Sequence, residues 1–150
     1  MTFFLWFGIW WIIGLLYINW SHWRIGYSTA LVASLGSFFI DSSFVNGGFW
    51  SYHGPPLPRL WPNILLNLSI YPVGAWIFVQ RYPRKFSAKV LWFFIGAVIL
   101  IVVEMHLRQF GFMKYHNGWN ILYSFLANLF LLGMLRLHHR WAEQGRTIFH

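Results

Sequence analysis

Fourteen successive residues, Val90 to Val103, carry no charge, and the same segment then presents Glu104, His106 and Arg108 before a polar turn closes at Asn120. No other feature constrains the chain as strongly. A charged side chain at the centre of a bilayer costs roughly 2.5–3.5 kcal/mol on insertion scales, so an intramembrane glutamate reads by default as a functional site. The rest of the sequence repeats the apolar theme. Of 150 residues, 58% are hydrophobic and 9% are charged, against about 25% charged in ordinary soluble domains. Apolar segments near the ~20 residues needed to cross a ~30 Å hydrocarbon core recur along the whole length. The expected fold is therefore all-α, an integral membrane bundle of about five transmembrane helices, with four as the lower count, in a single domain over residues 1–150.

The spans are drawn at about 3–20, 25–45, 62–80, 89–109 and 118–137. The first has no Lys or Arg ahead of its apolar run, unlike a cleavable signal peptide, and ends in an aromatic and basic border, Trp20 to Arg24. In the second, Gly26, Ala30, Ala33, Ser34, Ser37 and Asp41 recur at helical spacing, a small-residue face ending in a carboxylate. The stretch Asn46-Gly47-Gly48 and on to Pro62 is a tryptophan-bearing loop, since its glycines and prolines deny it a regular helix or a central strand. Pro72 in the third span removes a backbone donor and strips the Leu68 carbonyl of its helical partner, which predicts a kink. Asn63, Asn67, Tyr71 and Gly74 share a face there, as Asn120, Ser124, Ala127 and Asn128 do in the fifth span. The tail from His138 is expected at the interface, with His138-His139-Arg140 as a solvated or headgroup-binding face.

All the loops are short, so alternate Lys and Arg counts set orientation. With the N-terminus outside, the inner face receives Arg24, then Arg81, Arg84, Lys85 and Lys89, then Arg136, Arg140 and Arg146; the outer face receives Arg59, Arg108 and Lys114. That bias places the C-terminus in the cytoplasm and the protein in the cell membrane, facing anionic lipid headgroups. The net charge of +8 falls in these loops rather than in one stripe, which argues against nucleic acid.

Depth then brings polar groups together. Asp41 lies sixteen residues beyond Ile25 and Glu104 fifteen beyond Lys89, about 24 and 22 Å of helix from the inner surface. Asn67, five residues in from Pro62, reaches about the same 22 Å from the opposite direction. The expected site is an outward-facing cluster of Asp41, Asn67, Glu104 and Asn120, rimmed by Arg108, His116, Asn117 and His53. Two readings of Arg108 stand: it neutralises Glu104 four residues away, or the pair with Asp41 forms a hydrated site for a cation or proton. His53, His106 and His116 are the metal-ligand candidates beside the carboxylates, without any HExxH-type spacing. The Asn and Ser faces are equally read as interhelical hydrogen-bonding contacts. Having no cysteine, the chain excludes disulfides, thiolate metal sites and cysteine nucleophiles. No phosphate-cradling glycine loop or nucleophile with an adjacent base occurs, and no cofactor is implied.

Asn19-Trp20 with Trp23-Arg24, Trp50-Ser51-Tyr52, Tyr82-Pro83-Arg84-Lys85, the intramembrane Glu104, and Tyr115 to Asn120 followed by Leu135 to His138 together resemble an uncharacterised family of small multi-pass membrane proteins from spore-forming Firmicutes. Its most specific element is the YHNGWN run after a glutamate-bearing span. The resemblance implies a bacterial cytoplasmic membrane and four or five helices, and brings no assigned chemistry. Such proteins carry more acidic residues near the third span, where this chain has Asn63 and Asn67.

The function expected from these residues is an outward-facing intramembrane polar site that binds or conducts a cation, proton or small solute. The alternative is an accessory subunit whose polar residues join helices within a membrane complex. A pathway within one five-span protomer is cramped, which favours a homo-oligomer or a membrane partner protein. A third reading, an enzyme acting on lipid headgroups, requires His53 or His116 beside Asp41 or Glu104.

Overall fold

The computed structural model describes residues 2–53 and 61–147, and the chain is mostly helical. In order it forms α1 (Thr2–Tyr17), a 3₁₀ turn (Trp20–His22), α2 (Trp23–Asn46), β1 (Trp50–Tyr52), α3 (Trp61–Asn67), α4 (Ile70–Gln80), α5 (Phe86–Gln109), β2 (Met113–Tyr115) and α6 (Ile121–Thr147). Gly26–Asn46, Phe86–Gln109 and Ile121–Gln144 are long and apolar enough to cross a membrane; Phe3–Tyr17 and Ile64–Gln80 are apolar but shorter. Arg59 lies outside the described residues, as do the side chains of Asn63 and Arg146.

Three of the expected spans end differently, each for a local reason. The first stops at Tyr17 rather than residue 20, because the Asn19 side chain accepts from Ser21 N at 3.2 Å and starts the 3₁₀ turn. The third is broken between Asn67 and Ile70. There the Leu68 carbonyl that Pro72 leaves without a partner is taken by the Trp11 indole N–H of α1 at 3.1 Å. The fifth begins at Ile121 and continues past residue 137 to Thr147. His139 is not on a solvated face: it is 2% exposed, with Nδ1 3.1 Å from Thr29 Oγ1 and Nε2 3.4 Å from Glu143 one turn on.

Helix α4 holds the bundle. It packs against α1, α2, α5 and α6 and buries Ile70, Val73, Ala75, Trp76, Phe78 and Val79, as expected of a helix apolar on every side. Gln80 bonds both ways with the Asn19 backbone, accepting from N at 3.0 Å and donating to O at 3.1 Å. Arg81 donates to the Tyr17 carbonyl at 3.1 Å, closing the end of α1. The small-residue face of α2 meets α4 closely: Gly26 abuts the Trp76 ring, Ala33 is fully buried, and Ser34 Oγ donates to the Asn67 carbonyl at 2.6 Å.

A repeat emerges from the element bounds. Helix α2 and strand β1 recur as α5 and β2 at one constant offset, Phe86 against Trp23 and Met113 against Trp50, and the two helices are each 24 residues long. Both helices stop in the same way. Gly48 and Gly111 adopt φ +75°, and the amides behind them, Phe49 N and Phe112 N, reach back to Phe44 O at 2.9 Å and Leu107 O at 2.8 Å. This is the glycine-dependent Schellman ending, at a position where a side chain is strained. The strands then pair antiparallel, with Ser51 opposite Lys114, its own counterpart in the repeat. Equivalent bonds, His53 N to Phe112 O and His116 N to Phe49 O, both 2.8 Å, flank the pair. The ribbon is thus closed about a pseudo-twofold axis, and since both helices run toward it, the repeat is parallel.

A Cβ at Gly26 would lie 2.0 Å from Nε1 of the buried Trp76 ring. Gly26→Ala is expected to destabilise the protein by about 1–3 kcal/mol, as overpacking does. Thermal unfolding in detergent checks this; an unchanged transition would contradict the α2–α4 contact described.

Candidate functional site

Strand alternation decides which groups face the helices. Trp50 and Tyr52 are buried while Ser51 between them is not, as period-two side chains require. Both inward residues reach the carboxylate seven positions before Gly48: Trp50 Nε1 donates to Asp41 Oδ1 at 3.1 Å and Tyr52 Oη to the same oxygen at 2.9 Å. Asn67, at the break before α4, donates through Nδ2 to Asp41 Oδ2 at 3.1 Å. Asp41 is 4% exposed, and three donors from two separate elements, β1 and the end of α3, replace its water.

The second half repeats the plan with different neighbours. Tyr115 Oη donates to Glu104 Oε1, and Ser124 Oγ of α6 donates to the same oxygen at 2.7 Å. Trp119 Nε1 in turn donates to Ser124 Oγ at 2.8 Å. Oε2 of Glu104 receives no donor among the described residues. Arg108 makes no direct ion pair with Glu104; its guanidinium lies over the Tyr115 ring, 3.8 Å from the centroid, a cation–π arrangement that keeps its charge within electrostatic reach of the acid. Burial, reinforced by the bond to Glu104, pushes the Tyr115 phenol up to about 12, and burial beside Asp41 holds Tyr52 well above its ordinary value. Both stay hydroxyl donors across the physiological range.

Asp41 and Glu104 line one cavity of about 290 Å³ between α2, α4, α5, α6 and the ribbon. Its wall includes the aromatic rings of Phe44, Trp50, Tyr52, Tyr71 and Trp119, and no Lys, Arg or His. Phe44 and Trp50 are stacked at 4.8 Å and Trp119 meets Trp50 edge-on at 5.2 Å, which fixes that wall.

Of the residues expected at the site, Asp41, Asn67 and Glu104 come together. The others do different work. Asn120 caps α6, its Oδ1 accepting from Leu122 N at 3.0 Å and Tyr123 N at 3.2 Å. Asn117 donates to the Gly48 carbonyl at 3.0 Å, tying the two loops together. His116 Nε2 sits 2.8 Å from Ser51 Oγ on the outer side of the ribbon. His53 is exposed, and His106 packs between the Trp6 and Phe110 rings. No group of three metal-ligating side chains occurs among the described residues, so these histidines do not assemble with the carboxylates. Sequence reasoning passed over Trp50, Tyr52, Tyr115 and Ser124 as partners of the carboxylates. A signal was available: Gly48-Phe49-x-x-Tyr52-His53 and Gly111-Phe112-x-x-Tyr115-His116 match, each seven residues after an acidic residue.

No protein-family model, curated protein or solved structure matches this chain.

Two measurements check this geometry. Because Tyr115 titrates above its ordinary value of 10.0 in the folded protein, its contribution to stability is complete below pH about 10 and is lost as pH rises toward about 12. An ultraviolet difference titration of wild type against Tyr115→Phe should show one phenolate step near the upper value, and a step near pH 10 would contradict the bond to Glu104. Asn120→Ala should cost about 0.5–2 kcal/mol through the lost cap, with no effect on any ligand of the cavity, read by unfolding and binding on the same preparation.

Proposed function

We propose that the chain is a multi-pass protein of the cell membrane whose cavity, beneath the ribbon at the outer end of the bundle, binds a cation or a small cationic solute. One observation carries the reading: two carboxylates, each anchored by the equivalent tyrosine of a parallel repeat, line one cavity whose wall contributes no cationic side chain. In transporters built from parallel repeats, ligands sit at the repeat interface. The nearest cation, Arg108, lies over the Tyr115 ring and outside the cavity wall, so one positive charge serves two acids and a positive ligand or protons would supply the rest. Orientation follows from charge, since Arg24, Arg81, Arg84, Lys85 and Lys89 stand at the helix ends away from the ribbon. These cations suit the anionic headgroups of an inner leaflet, in a bacterial membrane as the resemblance to the spore-former family implies.

Binding suits the arrangement better than free conduction, because the neighbouring cavity toward the basic end is walled by apolar side chains such as Ile13, Phe78 and Leu132. The rival role as a helix-joining accessory subunit has less support. Ser34, Ser37 and Asn67, the residues that would join a partner helix, bond within the chain.

Calorimetric titration of the reconstituted protein with inorganic and methylated ammonium cations tests the proposal. Wild type should bind at least one of them, and Glu104→Gln should weaken it by roughly tenfold or more, the loss of one charged partner. Heats equal to the buffer blank for every cation would overturn the reading. Equal cation flux in protein-free, wild-type and Glu104→Gln vesicles would remove conduction while leaving binding intact.

A further inference from the structure

The cavity that holds the carboxylates does not stand alone. A second one, of about 390 Å³, abuts it and extends toward the basic end of the bundle. Ile70, Tyr71, Leu100 and Leu131 line both. Beyond that shared wall the lining is hydrocarbon and aromatic, from α1, α4, α5 and α6. Along α4 it runs from Ile70 to Phe78, about 12 Å of helix rise. Gly74 opens this wall: a Cβ there would meet nothing closer than Trp10 Cζ3 at 4.0 Å. The first cavity is small for an organic ligand, and the two together fall within the several hundred Å³ usual for one.

Resting on the cation-binding reading above, we propose that the ligand is a lipophilic ammonium, a cationic nitrogen head carried on a hydrocarbon tail. Three features select this chemistry. Carboxylates supply the charge, from Asp41 and Glu104, while Trp50, Trp119, Tyr52 and Phe44 line the same cavity with aromatic rings. Acidic and aromatic walls together are how quaternary and alkyl ammonium groups are recognised, since a weakly hydrated cation gains from ring quadrupoles where a small metal ion would demand more oxygen ligands. The Glu104 oxygen without a donor is the natural contact for the charge. The tail passes the Tyr71 partition into the apolar cavity, where each buried methylene adds to affinity.

Binding of tritiated decyltrimethylammonium and tetramethylammonium to protein in phosphatidylglycerol discs, with protein-free discs subtracted, tests this, because that lipid carries no ammonium of its own. Decyltrimethylammonium should bind at least roughly tenfold tighter than tetramethylammonium, the effect of burying about two methylenes. Glu104→Gln should weaken both. Gly74→Leu, which fills the apolar cavity, should shrink the tail advantage and leave tetramethylammonium unchanged; a chain-length series on wild type gives the same readout without a variant. Equal affinity for both probes, with no chain-length trend, would overturn the tail assignment and leave the cation site standing. Inorganic cations bound while neither ammonium binds would overturn the ammonium assignment alone. Decanol bound as tightly as decyltrimethylammonium, indifferent to Glu104→Gln, would overturn both this proposal and the cation-binding reading.

Discussion

An ionisable group removed from water has to bring replacement partners with it, and the architecture around Asp41 and Glu104 is arranged by that requirement. Neither helix that bears a carboxylate can satisfy it, because the backbone donors of α2 and α5 are committed to their own ladders. The donors arrive instead from the chain that leaves each helix. Gly48 and Gly111 turn that chain back, the ribbon aligns it, and alternate side chains return a tyrosine hydroxyl to the acid eleven residues earlier. The two halves support each other, since each strand takes its ladder partners from the other. A site of this kind is built before any ligand arrives, with its polar groups already oriented.

Much of the architecture was legible because hydrophobic periodicity and proline act locally. The Leu68 carbonyl freed by Pro72 was foreseeable from the sequence; that Trp11 of a distant helix would take it was not, since only packing brings α1 there. Depth along ideal helices brought Asp41, Asn67 and Glu104 to one level. It failed for Asn120, where the preference of asparagine for a helix start outweighed its place on the polar face, and Ser124 one turn on took the inward role. Arg108 acts on Glu104 at a distance rather than by contact: spacing four residues apart permits an ion pair, but the Tyr115 ring competes for the guanidinium. The pairing of β1 with β2 joins residues more than sixty positions apart, beyond the reach of any local rule. The repeated Gly-Phe-x-x-Tyr-His run would have suggested it.

The two halves share a plan and differ in detail, and the differences bear on chemistry. Asp41 is held at both oxygens by an indole, a phenol and an amide. Glu104 is held at one oxygen by two hydroxyls. The first acid is therefore fixed in place and the second has an edge to offer. An axis relating equivalent backbone with unequal side chains gives a cavity with a direction, which the proposed ligand with its distinct ends would need.

The register of the ribbon has a consequence of its own. Ser51 and Lys114 face away from the helices because the pairing runs Trp50 to Tyr115 and Tyr52 to Met113. Displacing the strands by a single residue would invert both faces. The indole and phenols would then swing out into solvent, and the ammonium of Lys114 would turn toward the acids. The protein would then bring a lysine of its own to the place where the proposed cation would bind, so under that proposal the hydrogen bonds between two three-residue strands decide whether the cavity is open to a ligand.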